Sequence, residues 1–294
     1  MGIRVTGRSL SNTVMVGLHA NKQKMQELQR QLSTGKVMAN PSDDSSAALS
    51  AMRFRAELAR QKQYLRNAED GQNWLGTADL ALTSALSVLG RARELVLQGL
   101  NTGVNTSVER DAISAEISTI KEMLVSLANT AYLGKPIFAG TSSSTEAYGP
   151  DGDYLGNNEA ITRSVSRGIH VQVSLDGPGI FGEEEQSLFV ILDKIVADLH
   201  GNESALLEDL DALDAKKNNM LNALGLIGAR FNRIDKLSKN TESKKDTVQK
   251  MLSEVEDIDL AEIVMALRSQ EAAYQAALAA SAKVIQPSLV DFIR

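Results

Sequence analysis

The sequence lacks cysteine and is poor in aromatic residues and proline. Without cysteine, the chain cannot form disulfides, thiolate metal sites or cysteine nucleophiles. Aromatics make up only 4% of the 294 residues, which is few for a bulky globular core but sufficient for a thin helical bundle of aliphatic side chains. The five prolines all fall outside the stretches with helical periodicity, so long uninterrupted helices are permitted.

The charge balance and the hydropathy argue against two further classes of protein. The net charge of -6 argues against a chain whose main function is to bind nucleic-acid phosphates. No apolar run approaches the ~18 residues that a transmembrane helix needs. Residues 1–8 lack an apolar stretch with a small-residue cleavage site, so we expect no cleaved signal peptide.

Two long stretches carry apolar residues that repeat every seven positions, which predicts long helices packed side by side. Capping residues and a proline at 40–44 mark the start of the first stretch, which extends to about Gly99. The second extends from about Asn202 to Val255. The repeats are Ala68, Leu75, Leu82, Leu89 and Val96 with Gly71, Ala78, Ala85, Ala92 and Gly99 in the first stretch, and Leu206, Leu213, Met220, Ile227, Ile234, Thr241, Val248 and Val255 in the second.

A shorter helix and a small β-rich insert are predicted between these two stretches. Thr106 followed by Glu109 resembles a capping box, which opens the helix. Over residues 140–182 glycine, serine and asparagine are frequent, and strict apolar–polar alternation at 169–175 predicts a strand with one buried face, with 161–165 as a weaker partner. The apolar positions of the helix are Ile113, Ile117, Ile120, Leu124, Leu127 and Ala131.

Each end of the chain carries one amphipathic segment with an apolar stripe. A lone helix of this kind cannot bury enough surface to offset the entropy lost on ordering. The two segments therefore either dock on the central helices or pair with each other and with neighbouring subunits, and the periodicity leaves both alternatives open. The stripes consist of Val14, Leu18, Met25, Leu28 and Leu32 at one end and of Leu260, Ile263, Leu267, Tyr274, Leu278 and Ile285 at the other.

Three local patterns resemble sites of chemistry without satisfying what the chemistry needs. Residues 177–182 match G-x-G-x-x-G, but glutamates at 183–185 would repel the pyrophosphate from the following helix, so the glycines are interpreted as turn residues. The pattern at 151–153 lacks the later oxygen ligands of a calcium loop. The three histidines share no ligand spacing. We therefore predict no enzyme activity, no metal site and no cofactor.

Segments near both ends of the chain carry a more specific signal. Residues 28–36 run into Asn40, Pro41, Ser42, Asp43 and Asp44, and residues 228–235, 256–262 and 288–292 follow in the second half. In this order they resemble the terminal segments of the bacterial flagellin family. Within that family, residues 128–141, including Phe138 and Gly140, are more similar to hook-associated proteins than to filament flagellins.

The periodicity and the resemblance agree on a mainly α fold. We expect a long antiparallel, coiled-coil-like helical rod with a small β-rich insert and two terminal amphipathic helices. The terminal stripes, extended by Leu289 and Phe292, are predicted to form an assembly interface. The expected domains are an N-terminal assembly helix paired with the C-terminus (1–40), two halves of the rod (41–139 and 191–256), the outer insert (140–190) and a C-terminal assembly helix (257–294).

The resemblance implies a structural role in bacterial motility. It places the chain among the axial components at the hook–filament junction of the extracellular flagellum, secreted by the flagellar type III export apparatus. The implied partners are a FlgK-like hook-associated protein, flagellin, neighbouring copies in a ring and the export chaperone FlgN at the C-terminal segment, with no nucleic acid and no membrane insertion. The alternatives are a minor flagellin of the filament, an extracellular enzyme carried in the insert and a cytoplasmic coiled-coil scaffold.

Overall fold

The computed structural model describes residues 7–38, 40–100, 107–200 and 202–285. Within these ranges the protein is mainly helical, which confirms the fold class predicted from the sequence. The helices are α1 (Gly7–Thr34), α2 (Ser45–Leu100), α3 (Ser107–Ala128), α4 (Gly177–Phe181), α5 (Leu188–Asp198), α6 (Glu203–Glu256) and α7 (Leu260–Ile285), and the strands are β1 (Ala131–Tyr132), β2 (Lys135–Pro136), β3 (Thr162–Ser166) and β4 (Ile169–Gln172).

The described residues form two compact units. The terminal unit comprises those of Met1–Ala59 and Lys245–Arg294, and the central unit comprises those of Arg60–Lys244. Helices α1 and α7 belong to the terminal unit, the strands and the three shorter helices belong to the central unit, and α2 and α6 contribute to both. None of the described helices combines the length and the apolar character needed to cross a membrane.

The residues that repeat every seven positions belong to the core of the central unit, together with buried residues of α3, α5 and the insert. Both series of α2 are buried throughout, and so is the α6 series from Leu206 to Thr241. Small residues allow neighbours to approach closely, and a Cβ on Gly71 would lie at a tight 3.2 Å from side-chain carbons of Ile234 and Val173. The one polar residue of the α6 series, Thr241, donates its hydroxyl to the carbonyl of Val165 at 3.4 Å.

Ion pairs at the margin of this core connect the helices of the central unit. Arg93 of α2 makes a bidentate pair with Asp214 of α6, at 2.7 and 3.0 Å. This pairing raises the pKa of Arg93 and lowers that of Asp214. Lys121 of α3 contacts Asp193 of α5 at 2.6 Å, so α3 and α5 are joined by a charge pair as well as by apolar packing.

Two details of the segment between α3 and α5 differ from the sequence prediction. The helix predicted to include Ala131 ends at Ala128. Ala131 is instead an exposed residue of β1, because Leu133 and Gly134 form a tight hairpin turn between β1 and β2. The segment interpreted as a turn at residues 177–182 is helical from Gly177 to Phe181, as a proline near the first helical position permits, and Gly182 then ends the helix with φ 90°.

Aromatic side chains are concentrated in the insert, although they are scarce in the chain as a whole. Each ring buries a large apolar area, so a few aromatic residues contribute substantially to the core of a segment that is short and irregular. Tyr148 is central to the cluster, with ring centroids of three neighbours 5.2–5.6 Å away. Burial raises the pKa of Tyr148 and raises the pKa of Tyr154 to about 12, so both phenols stay protonated. The cluster consists of Phe138, Tyr148, Tyr154, Phe181 and Phe189.

Strands β3 and β4 form an antiparallel hairpin that packs onto the long helices. Gly168 provides the positive φ of 71° in the turn, and the register shifts between Ser164 and Ser166, which marks a bulge. Val165 and Val171 bury the inner face, as the predicted alternation requires. Beyond the second strand, Arg230 of α6 donates to the carbonyl of Ser174 at 2.9 Å and holds the insert against that helix.

Candidate assembly interface

The two terminal helices, α1 and α7, pack against each other within the terminal unit. They run antiparallel, since Lys36 pairs with Asp257 just beyond one end of the contact and Asn21 contacts Gln270 further along. Of the two alternatives left open by the sequence, the structure therefore contains the pairing of the two terminal helices, α1 and α7, with each other. Four predicted residues of α1 are half-buried and one, Leu28, is buried. The half-buried ones are Val14, Leu18, Met25 and Leu32.

The predicted stripe of α7 is divided between the inside and the outside of this pair. Ile263, Leu267 and Tyr274 are half-buried, whereas Leu260 is 60% exposed and Leu278 is 44% exposed. Leu260 is the first residue of the helix, and Leu278 lies next to Ala277, which is half-buried. Ile285 ends α7, and the description does not extend to its side chain, while Leu289 and Phe292 lie outside the described residues.

Small and polar residues complete the contact face of α7. The inward positions after Ile263 include Gln270, Ala277 and Ser281, which continue the alternating spacing of three and four residues. Ser281 is 6% exposed, and its hydroxyl donates to the carbonyl of Ala277 at 2.6 Å, so burial leaves no hydroxyl proton without an acceptor. Selection by large apolar side chains omits these positions, whereas the three–four spacing alone predicts them.

A polar pair occupies the middle of the α1–α7 contact. Gln270 donates its amide to both the carbonyl oxygen and the side-chain oxygen of Asn21, at 3.2 and 3.1 Å. Asn21 occupies the position in α1 that the apolar stripe skips between Leu18 and Met25. A single polar layer in a helical seam fixes the register, because any shifted alignment leaves these amides opposite apolar groups.

Backbone hydrogen bonds join the segment that follows α1 to the segment that precedes α7. Gly35, with φ 70°, ends α1, and the carbonyl of Gly35 accepts from the amide of Ile258 at 3.2 Å. The amide of Val37 donates to the carbonyl of Glu256 at 2.8 Å. These two backbone hydrogen bonds form a short antiparallel bridge between the segment after α1 and the segment before α7.

The side chains of this bridge meet at one carboxylate. The Glu256 side chain is only 7% exposed and accepts from Lys36 at 3.0 Å, while Arg55 of α2 lies 2.5 Å from its other oxygen. Lys36 also contacts Asp257 at 2.6 Å. Hydrogen bonds from Lys36 and then Ser253 lower the pKa of Asp257, and the same carboxylates raise the pKa of Lys36. Lys36, Arg55, Glu256 and Asp257 are termed the Glu256 cluster below.

The predicted family-motif residues have local structural roles. Asp43 accepts from the backbone amide of Asn40 at 3.0 Å, and Asp44 caps α2 by accepting from the amides of Ser46 and Ala47 at 2.9 Å. Pro41 and Ser42 are exposed in the loop between them. In the central unit, Phe138 is fully buried, and Gly140 has φ 63° with no room for a Cβ.

In the terminal unit, several large apolar side chains remain exposed to solvent outside the α1–α7 contact. Such residues on helical surfaces are suited to packing against further helices, and they offer no chemistry for catalysis. Among the described residues, no group of histidine and acidic side chains is arranged to hold a metal ion. The exposed residues are Met15, Val16, Val37, Leu49, Met52, Met251, Leu260, Met265 and Leu278.

Comparisons with known proteins agree on both halves of the chain. Residues 7–143 match the family model of the bacterial flagellin N-terminal helical region, and residues 210–293 match that of the C-terminal helical region. The chain is 23% identical to the flagellar hook-associated protein 3 of Salmonella typhimurium, over 93% of this chain and 94% of that one. It is 24% identical to the flagellin of Bacillus subtilis, over 83% and 84% of the two chains.

A solved structure shares the fold. It is that of a putative flagellar hook-associated protein from Vibrio parahaemolyticus. It is 22% identical, with a TM-score of 0.68, and the match covers 73% of this chain and 100% of that one.

Proposed function

This chain belongs to the bacterial flagellin family, and we propose from that premise that it is a structural subunit of the flagellum at the junction between hook and filament. The observation that carries the proposal is the end-to-end match to a flagellar hook-associated protein 3, which spans more than nine-tenths of both chains. The similarity of residues 128–141 to hook-associated proteins supports the same position. In this role the chain is a building element of the flagellum and not an enzyme.

Assembly proceeds through the terminal unit. The α1–α7 pair buries one face of each helix, and the remaining apolar residues pack against the corresponding helices of neighbouring subunits. The predicted interface residues divide accordingly. The half-buried ones hold the pair together, and Leu260 and Leu278 contact neighbours. Leu289 and Phe292 lie outside the described residues and stay predicted members of the interface.

The partners follow from the position at the junction. A FlgK-like hook-associated protein lies on the hook side, flagellin lies on the filament side, and copies of this chain lie beside one another in a ring. The chain reaches this extracellular position through the flagellar secretion apparatus, held before export by the chaperone FlgN at residues 257–294. The low charge and the exposed apolar residues of α7 support this, since such a helix needs a partner before assembly as well as after it.

Deletion of the gene in its host tests the proposal. Cells without this chain are expected to carry bare hooks and to release flagellin into the medium, because flagellin has no adaptor on which to start polymerising. The intact gene on a plasmid should restore filaments. Filaments of normal length and number on the deletion strain would contradict the junction role.

A minor flagellin is the second candidate, favoured by the similarity to a Bacillus subtilis flagellin over most of both chains. The two functions predict different behaviour of the purified protein. A filament subunit elongates seeds of its own kind into long polymers, whereas a junction subunit adds a short layer and stops. Electron microscopy of seeded reactions distinguishes these outcomes.

A further inference from the structure

The net charge of the chain comes from one part of it. Residues 140–190, the predicted insert, contain eight acidic and two basic side chains, so they carry the whole net charge of -6. The remaining residues are neutral overall. Salt screens exposed charges within about 8 Å at physiological ionic strength, so a concentrated charge acts on whatever lies against it. The chain is therefore strongly charged in places, although its net charge is modest.

Six acidic side chains of the insert lie on one face. The hydroxyl of Ser187 donates to the carbonyl of Gly152 at 3.3 Å, which brings together the two short segments that contain most of them. Asp176 and Glu183 are neighbours across this face, because burial and then the negative charges of these two residues raise the pKa of Tyr154. The acidic face consists of Asp151, Asp153, Asp176, Glu183, Glu184 and Glu185.

The carboxylates of the acidic face have no partner within the subunit. All six side chains are exposed, and none of them forms an ion pair or accepts a hydrogen bond from another of the described residues. Lys216 of α6 reaches the margin of the face, since its amine would lie 2.6 Å from a Cβ on Gly182. One amine leaves most of the negative charge uncompensated. Crowded charges of one sign repel each other, and a positively charged partner relieves this repulsion.

A second face of the central unit carries the opposite charge. The β3–β4 hairpin lies across both long helices, because Asn67 of α2 donates to the carbonyl of Ser164 at 2.8 Å and Thr241 of α6 donates to the carbonyl of Val165. The turn of the hairpin therefore lies beside the next residues of the two helices. The basic face consists of the exposed side chains around this turn, Lys62 and Arg66 of α2, Arg167 of the turn and Lys244 of α6.

The cations of the basic face are also unpaired. None of the four forms an ion pair with another residue in the described part of the chain. Residues 60–66 and 162–172 contain no acidic side chain. On α6, Asp246 pairs with Lys245 at 3.3 Å, and Glu242 has a contact of its own. The basic face therefore keeps its positive charge in the isolated subunit.

The two faces are too far apart to neutralise each other within one copy. Lys216 lies beside the acidic face and Thr241 lies beside the hairpin that carries the basic face, and both residues belong to α6. At 1.5 Å per residue, the helix between them spans about 37 Å, more than four times the Debye length of about 8 Å. A contact between the two faces therefore has to form between two molecules.

We propose that the acidic face of one copy of this chain binds the basic face of a neighbouring copy. Charge complementarity favours this partner, because the chain itself carries both faces with their charges unpaired. The faces are different surfaces, so the contact is head-to-tail, and such contacts continue around a ring and do not close as a two-fold dimer. The inference rests on the proposed function, because it requires that copies meet in the flagellum.

A zero-length crosslinker tests the contact in wild-type flagella. A carbodiimide joins a carboxylate to an amine only where the two groups touch, and the linked peptides of sheared flagella are identified by mass spectrometry. The expected product joins residues 183–185 to Lys62 or Lys244. It has to come from two copies, because the span within one copy is about 37 Å. The ion pair of Lys121 with Asp193, at 2.6 Å, should crosslink within each copy and is the internal control.

Charge reversal and its rescue give a second test in the deletion host. One variant reverses the acidic face, Glu183→Lys/Glu184→Lys/Glu185→Lys. Another reverses the basic face, Lys62→Glu/Arg66→Glu/Lys244→Glu. In each variant, charges of one sign meet, so the fraction of the chain that is found in sheared flagella should fall. Both sets combined in one chain restore opposite charges, and incorporation should recover.

A matched control separates this contact from the change in total charge. The variant Asp79→Lys/Glu122→Lys/Asp211→Lys reverses three exposed acids of the central unit outside the acidic face, and it should be incorporated at the wild-type level. Because every substituted side chain is exposed, the melting temperatures of all purified variants should stay within about 2 °C of the wild type. A loss of incorporation at an unchanged melting temperature then reports a lost contact.

The outcomes separate this inference from the proposed function. Wild-type flagella that contain the chain and give the internal crosslink alone overturn the contact and leave the junction role intact. A crosslink from residues 183–185 to a different flagellar protein also overturns it, because the partner is then not a second copy. A folded chain with both faces reversed that is still not incorporated contradicts the pairing of the two faces. A chain that is absent from wild-type flagella refutes the proposed function and this contact together.

Discussion

Gly140, a residue of the predicted family motif, should be the glycine least tolerant of a methyl group. Its φ is 63°, and a Cβ built there would lie 2.1 Å from the carbonyl oxygen of Asn157. The left-handed conformation costs a side chain about 1–2 kcal/mol, and displacing a packed backbone oxygen costs about 1–3 kcal/mol more. Gly140→Ala is therefore expected to lower the free energy of unfolding by about 3 kcal/mol.

Two other glycines separate the contributions to this value. Gly168 has φ 71° but nothing within 4 Å of its Cβ position, so Gly168→Ala should show the backbone strain alone, about 1–2 kcal/mol. Gly90 lies in α2 with open space beside it, and Gly90→Ala should stabilise the protein by about 0.8–1 kcal/mol because alanine is the better helix former.

Thermal and urea unfolding of the three variants measure the differences. For a unit of this size, Gly140→Ala should lower the melting temperature by roughly 6–12 °C, Gly168→Ala should lower it by a few degrees, and Gly90→Ala should raise it. The reasoning is refuted if Gly140→Ala and Gly168→Ala are equally destabilising, since the clash with Asn157 would then contribute nothing.

Three further predictions concern the terminal unit. Glu256→Gln should destabilise it by about 1–2 kcal/mol, because two charge-assisted contacts are lost but both cations can return to water. Hydrogen exchange of α1 and α7 should become faster, whereas the exposed control Glu254→Gln should change neither the stability nor the exchange. Unchanged exchange in Glu256→Gln would contradict this role. Replacing both Asn21 and Gln270 by leucine should raise the melting temperature and broaden the distribution of spin-label distances between α1 and α7. A single unchanged distance would show that the polar pair does not set the register. Because the pKa of Asp257 is lowered in the folded protein, its contribution to stability is present above the unfolded pKa of about 4 and is lost as the pH falls further. Acid should therefore unfold the terminal unit of the wild type more than that of Asp257→Asn, as monitored by circular dichroism.

The long helices are predictable because one repeat governs their whole length. The spacing predicts helices over about 42–99 and 202–255, and the structure has Ser45–Leu100 and Glu203–Glu256. Every turn of such a helix faces the same neighbours, so each seventh residue carries the same information. The prediction fails where turn chemistry overrides spacing. Ala131 continues the apolar series of α3, but the turn at Leu133 and Gly134 requires a hairpin there.

The assembly interface is only partly predictable, for two physical reasons. Hydropathy selects large residues, so it selects Leu278, which is exposed beside the α1–α7 contact, and passes over Ala277 and Ser281, which lie on the contact face itself. The Glu256 cluster was not visible at all, because it joins residues far apart in sequence. The predicted domain boundaries and the predicted contacts with neighbours stay predictions.

The closure of the terminal unit also determines when it can form. Lys36 and Asp257 are 221 residues apart in the chain, yet they are adjacent in the bridge that aligns α1 with α7. Translation supplies α1 first and α7 last, so α1 has no partner while most of the chain is being made. Contacts of such high sequence separation form late and slowly, whereas α2 and α3 are close in sequence and can fold earlier. α1 and α7 can therefore pair only after both have been synthesised. A nascent or prematurely terminated chain that lacks α7 cannot present the surface that the two helices form together.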